Sequence, residues 1–291
     1  MESKRNNLNL GLWLVVLSAV CWSLNSPLVK VLELNAFTLT GMRALIAGLA
    51  LLPFLRVKRM NWNRFTFLMM LSYMVHCTLI VLALKTTSAP IAVAMQFTAP
   101  VWIYIWEHKK GEKLLFSCIW PLFVMLLGMA FFMFSKGTGV TMKGNLIAEV
   151  SSLSFAALTY FTKRAQTDNP LGLTSVSNLL TAAVMLLFFA DAPVAAVTAL
   201  HPLQLLVLLL LGVVQTGGGY AFYFVGLKHV EASTAAMLSP LEMVLGPLWV
   251  ALFLHEYPDS IALAAFVFVI AGVLGEVYVA KKLQKKAAQA E

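Results

Sequence analysis

The sequence predicts an all-α integral membrane protein. Ten transmembrane helices are expected, built as two inverted five-helix repeats with both termini cytoplasmic. Three observations predict this: too little charge for a soluble surface, ten apolar stretches of spanning length, and basic residues gathered on alternate links. Of the 291 residues, 60% are hydrophobic and 12% charged, against roughly 45–50% and ~25% in soluble domains. Mean hydropathy is +0.83. So few charges cannot cover a water-facing surface, and disordered, collagen-like and disulfide-scaffold classes fail on the same composition.

A helix crosses the hydrocarbon core with about 20 residues. Ten such stretches are expected at Leu10–Val31, Ala36–Leu55, Arg64–Leu84, Ser88–Trp106, Leu114–Ser135, Gly144–Lys163, Leu171–Ala190, Pro202–Leu227, Ala232–Leu254 and Ser260–Ala280. Lys4 and Arg5 precede the first, as in a signal peptide. Its apolar run is long and lacks an A-x-A cleavage site, so a retained first span is expected. The remaining links are too short for a folded domain, so function must lie within the membrane or at its faces.

With the N-terminus inside, 16 of the 21 Lys and Arg fall on the cytoplasmic side. Lys30, Lys85, Lys136 and Lys143 fall outside, and Arg43 falls within a span. That is a strong positive-inside bias. The net charge of +8 thereby follows mostly from topology and makes no case for nucleic-acid binding. The three cysteines, Cys21, Cys77 and Cys118, all lie in apolar runs. An odd count so placed argues against a disulfide framework or zinc site.

The chain also resembles itself. A shift of 143 residues brings Leu84 onto Leu227, Lys85 onto Lys228, Ala89 onto Ala232, Ala92 onto Ala235, Val101 onto Val244 and Trp106 onto Trp249. A shift of 144 pairs Glu112 with Glu256 and Gly128 with Gly272, and one of 133 pairs Gly11 with Gly144, Ser18 with Ser151 and Lys30 with Lys163. The expected repeats are residues 1–137 and 138–291. Five spans is an odd number, so the second repeat enters the membrane inverted. Many secondary transporters are built this way, with a midplane site between halves that rock against each other.

Five stretches carry a family resemblance. They are GLWLVVLSAVCWSLNSPLVK (Gly11–Lys30), TLTGMRALIAGLALLPF (Thr38–Phe54), ALKTTSAPIAVAMQFTAPVWIYIWEHKKGEKL (Ala83–Leu114), GLKHVEASTAAMLSPLEMVLGPLWVALFLHEYPDS (Gly226–Ser260) and FVFVIAGVLG (Phe266–Gly275). Together the chain resembles the drug/metabolite transporter superfamily, in its ten-helix EamA-like branch. The resemblance implies the ten-helix fold, secondary transport of a small metabolite, and a multi-pass place in a bacterial inner membrane. Two departures stand out: the family's recurrent Glu-Pro of the ninth span is Glu242-Met243 here, and Glu149 occupies a position where the family usually has a small residue.

Charges deep in a span are costly and usually face an interior cavity. Glu242 lies eleven residues into its span, ~16 Å at 1.5 Å per residue, near mid-membrane. It can exchange protons or pair with a cationic substrate; alternatively it is a hydrogen-bonded structural carboxyl beside a proline-broken backbone. Glu149 and Arg43 lie ~8 and ~10 Å from the external edge, which permits an ion pair, substrate contact, or snorkelling by Arg43. Glu149, Ser152, Ala156, Thr159 and Lys163 form one helical stripe, expected to face the bundle interior.

Further polar groups at similar depth are Asn25 near Trp22, Tyr73 and His76 on one face, Gln96 before Pro100, and Gln215 before Gly217-Gly218-Gly219 with Tyr220 and Tyr223 one turn on. Each is a candidate for substrate contact, and each is equally served by an interhelical hydrogen bond. His76 can titrate near neutral pH. Trp22, Tyr73, Tyr160, Tyr220 and Tyr223 can wall an aromatic or cationic substrate or simply face lipid. The glycine run allows close helix packing or a hinge. Pro90, Pro100, Pro240 and Pro247 allow kinks.

No Walker, HExxH or GxSxG pattern is present, so neither ATP hydrolysis nor intramembrane catalysis is expected. No cofactor or metal is expected. The function expected is proton-coupled export of an amino acid or related amine or organic solute, by a monomer or homodimer among membrane lipid. The alternative is a channel or lipid scramblase, which would place polar residues on a lipid-facing groove.

Overall fold

The computed structural model describes residues 2–87, 89–107, 116–133, 141–254 and 260–290. Ser88, Lys109, Lys110, Glu112, Lys113, Lys136 and Glu256 lie outside them, as do the side chains of Lys4, Lys30, Pro90, Cys118 and Pro247. Every regular element among the described residues is helical. The α-helices are α1 (Glu2–Ser23), α2 (Asn25–Val31), α3 (Ala36–Leu51), α4 (Arg64–Thr86), α5 (Ala89–Met95), α6 (Ala99–Glu107), α7 (Phe116–Met133), α8 (Met142–Ala165), α9 (Pro170–Phe188), α10 (Pro193–Thr198), α11 (Pro202–Leu210), α12 (Gly219–Gly226), α13 (Ala232–Leu238), α14 (Leu241–Leu254) and α15 (Ser260–Ala290).

Side-chain caps fix several helix starts. Asn35, Asn63, Thr141 and Asn169 each accept a backbone N–H of the following first turn, satisfying donors that have no partner within the helix. Among the described residues, six segments are long and apolar enough to cross a membrane: Asn6–Val29, Ala36–Phe54, Arg64–Thr86, Pro170–Phe188, Pro202–Gly226 and Leu263–Leu283. They carry apolar residues outward, among them Trp13, Leu187 and Phe188, each more than 70% exposed. Such a surface is stable only in lipid.

The other expected spans differ from unbroken apolar rods for visible reasons. Helix α8 has the length but is rich in Ser and Thr, many of them buried. The fourth expected span breaks into α5, a 3₁₀ turn at Gln96–Thr98, and α6. The ninth breaks between α13 and α14 at Ser239–Pro240. The first is interrupted at Leu24, and the eighth carries a π-helical stretch, Leu211–Gly218, between α11 and α12.

The most extensive packings join the two halves of the chain: α1 on α12, α3 on α9, α4 on α8, and α7 on α15. Glycines let these crossings close. A Cβ on Gly11 would lie 2.7 and 2.8 Å from side-chain atoms of His229 and Val230, and one on Gly144 would lie 2.6 Å from Thr87. A Cβ on Gly128 would lie 2.9 Å from the Ala265 carbonyl oxygen, and one on Gly272 2.8 Å from that of Pro121. Backbone cannot yield as a side-chain tip can. Gly128→Ala and Gly272→Ala are therefore each expected to destabilise by about 1–3 kcal/mol. Gly246→Ala is expected to be nearly silent, because its Cβ would meet only the Ser23 carbonyl at 3.7 Å. Thermal unfolding in detergent checks all three.

Candidate functional site

Three interruptions of helix converge on one cavity. It is lined by Trp22, Asn25, Arg43, His76, Ile80, Gln96, Phe155, Gln215, Tyr220, Ser239, Pro240 and Glu242. Gln96 begins the 3₁₀ break, Ser239 and Pro240 form the break before α14, and Gln215 sits in the π stretch. Broken helices free backbone groups that only a polar interior can satisfy, and π turns recur at functional sites.

Arg43 anchors the cavity. It is 2% exposed, so it does not snorkel. Its Nη1 donates to Asn25 Oδ1 at 3.1 Å and Gln215 Oε1 at 3.5 Å, and its Nη2 to the Cys77 carbonyl at 2.9 Å. Its Nε is buried without a hydrogen-bond partner. Every acceptor is neutral, so the guanidinium charge is solvated but not neutralised by an acid. The ion pair that their similar depth permits between Arg43 and Glu149 is not formed. Glu149 is half-buried and instead accepts from the Thr98 hydroxyl at 2.9 Å. Similar depth put the two residues at one level, but they face different neighbours around their helices.

A second polar chain runs beside the first. His76 Nδ1 lies 3.0 Å from the Ser151 carbonyl and 3.1 Å from its hydroxyl. Gln96 Nε2 donates to the same hydroxyl at 3.2 Å. The aromatic wall is compact: Trp22 stacks edge-on to Phe155 with centroids 5.7 Å apart, and lies 5.0 Å from each of Tyr220 and Tyr223. A Cβ on Gly219 would lie 2.5 Å from Trp22 Nε1, so this glycine makes room for the indole. Gly217 and Gly218 belong to the π stretch itself.

Some expected residues lie away from the cavity lining. Tyr73 is fully buried behind it and donates to Asn178 Oδ1 at 2.9 Å. Tyr223 meets the Thr159 hydroxyl at 2.8 Å. Tyr160 stacks under Arg164, whose guanidinium carbon is 3.5 Å from the ring centre. Pro100 is buried in α6. On the α8 stripe Ser152, Ala156 and Thr159 are buried, while Glu149 and Lys163 are half-buried.

Sequence reasoning missed Ile80, Phe155 and Ser239 as cavity residues, and missed Glu276. That carboxylate is 3% exposed and accepts from the Thr234 hydroxyl at 2.8 Å and from Tyr104 at 3.4 Å. The depth count left only Glu149 and Glu242 inside, and Glu276 corrects it.

The cavity is about 30 Å³, space for a water or two. Contacts between helices cross the bundle at both ends. At the basic end Lys163 donates to the Leu227 and Val230 carbonyls. At the other, Thr87 donates to Asn145 and Thr141 to the Thr86 carbonyl. A charged centre set among long apolar helices defines a multi-pass integral membrane protein with an internal polar site.

Comparison with known proteins makes the class specific. The family model described as "EamA-like transporter family" matches twice, over residues 9–134 and 142–277. The chain belongs to the EamA-like transporter family and is a membrane transporter of small solutes. No curated protein matches it significantly. Among 28 matching solved chains, one crystal structure has a TM-score of 0.75 at 17% identity, covering 96% of this chain and 99% of that one. At that identity the likeness is one of fold.

Proposed function

We propose that the protein is a secondary carrier for a small zwitterion of the amino-acid class, working by alternating access. The observation that carries this is one cavity lined by both Arg43 and Glu242, which form no ion pair with each other among the described residues. A zwitterion presents a carboxylate to the first and an ammonium to the second. The aromatic wall of Trp22, Phe155 and Tyr220 receives its apolar part.

The inverted-repeat reading draws support from matched contacts. By the sequence offsets, Gly11 against His229 and Val230 corresponds to Gly144 against Thr86 and Thr87. Gly128 against Ala265 and Val269 corresponds to Gly272 against Pro121 and Met125. The helix breaks at Gln96 and Ser239 correspond as well, one offset of 143 apart. With five spans per half, such a pairing needs an axis in the membrane plane, and both termini then lie at the basic, cytoplasmic face. The repeats divide near residue 137.

A cavity of about 30 Å³ must widen to admit a metabolite, since ligand sites run to roughly 300 Å³ or more. In this reading ligand replaces contacts across the cavity, and either end opens in turn. Glu242 carries the coupling proton, and the direction is export from a bacterial cytoplasm.

A ligand panel tests the charge logic. A neutral amino acid is expected to raise the melting temperature of the purified protein. Its decarboxylated amine and deaminated acid are each expected to shift it far less. Equal stabilisation by amine and zwitterion would remove the role of Arg43.

A further inference from the structure

A second cavity, of about 280 Å³, opens at the basic end, away from the central site. Its walls are the 3₁₀ extension of α3 at Leu52–Phe54, the 3₁₀ turn Val57–Arg59, and the start of α9, with Val225 of α12 also lining it. Asn169 fixes the floor: its Nδ2 donates to the Phe54 carbonyl at 3.1 Å, while its Oδ1 accepts from Gly172 N at 3.0 Å. The pocket is thus tied between two long helices rather than carried on a free loop.

Arg56 and Arg59 both line it and are exposed. Neither side chain makes an ion pair, hydrogen bond or ring contact among the described residues; the backbone N–H of Arg59 donates to the Arg56 carbonyl at 2.9 Å. Asp168, just before α9, also lines the cavity and is exposed and unpaired with either arginine. Phe54 lines the cleft with the arginines and is 51% exposed, and its neighbours in the same two 3₁₀ turns, Leu52 and Val57, are 42% and 52% exposed, giving an apolar surface beside it. A soluble anion has no use for that surface. A molecule with an anionic head and hydrocarbon tails has use for both.

We propose that this cleft binds an anionic phospholipid whose headgroup carries hydroxyls. The phosphodiester sits between Arg56 and Arg59, whose planar guanidinium forks suit phosphate oxygens. A headgroup hydroxyl donates to the Asp168 carboxylate, which disfavours a bare dianionic phosphate. The acyl chains run along Leu52, Phe54 and Val57. Basic pockets between spanning helices at the cytoplasmic interface are suited to such heads. The proposal is independent of what the central cavity carries.

The test uses the full-length protein in nanodiscs of phosphatidylcholine with a minor share of phosphatidylglycerol, read by native mass spectrometry and thermal unfolding. The wild type is expected to retain phosphatidylglycerol selectively and to be stabilised by it. The double variant R56Q/R59Q is expected to lose that retention by about 30-fold, the equivalent of ~1 kcal/mol for each arginine. K281Q/K282Q removes the same charge from exposed positions on α15 and is expected to keep it. Equal losses in the two double variants, or none in R56Q/R59Q, would overturn the proposal. So would stabilisation by inorganic phosphate alone in phosphatidylcholine discs, which would make the ligand a free anion.

Discussion

Glu242→Gln is expected to abolish saturable counterflow while leaving the protein folded. The amide keeps the shape of the carboxyl and can still hydrogen-bond, so packing at the first turn of α14 is preserved. What it removes is the negative charge facing the cavity. A charge-assisted hydrogen bond contributes about 1.5–3 kcal/mol, so apparent affinity for a zwitterion should fall roughly 10- to 150-fold. A proton carried on that carboxyl is lost with it. Binding titration and thermal unfolding on the same preparation separate the effects: affinity should collapse, and the unfolding midpoint should stay near the wild type.

Arg43→Lys is expected to be as damaging to transport and worse for stability. The ammonium keeps the charge but cannot reproduce a fork that reaches Asn25, Gln215 and the Cys77 carbonyl together. At least one of these buried acceptors loses its donor, at a cost of about 1–3 kcal/mol. Asn25 and Gln215 hold the interruptions of the first and eighth spans against α3, so their release also loosens the cavity walls. A lower melting temperature together with lost ligand stabilisation is the expected pair of results. A melting temperature unchanged from wild type would show that this hydrogen-bond hub does not hold the core.

The sequence makes the membrane class legible because water and lipid demand opposite surfaces, and 12% charge satisfies only one of them. Polar residues within spans were equally conspicuous, since a bilayer makes each one costly unless an interior receives it. Trp22, Asn25, Arg43, His76, Gln96, Gln215, Tyr220 and Glu242 do share one cavity. Depth alone could not say which way each points, and this is why an ion pair between Arg43 and Glu149 stayed open beside snorkelling and substrate contact. Phe155 and Ile80 were indistinguishable from core residues. Pro100, Pro240 and the glycine run marked where kinks or a hinge could fall, but the form of the breaks at Gln96 and Ser239 and of the π stretch through Gln215 depends on neighbouring helices that satisfy freed backbone groups. Glu276 falls inside the tenth expected span, four residues from its end, and depth alone did not mark it as buried.

The central claim is that one cavity binds a zwitterion between two opposite charges and is exposed to each side in turn. Counterflow in proteoliposomes tests it most directly. Vesicles preloaded with an unlabelled neutral amino acid should accumulate the labelled compound transiently and saturably. The matching amine or acid should drive far less exchange. Collapse of the pH gradient should slow net flux but not exchange. Linear, non-saturating flux of unrelated solutes, indifferent to what is preloaded and unchanged in Glu242→Gln and Arg43→Lys, would contradict the account.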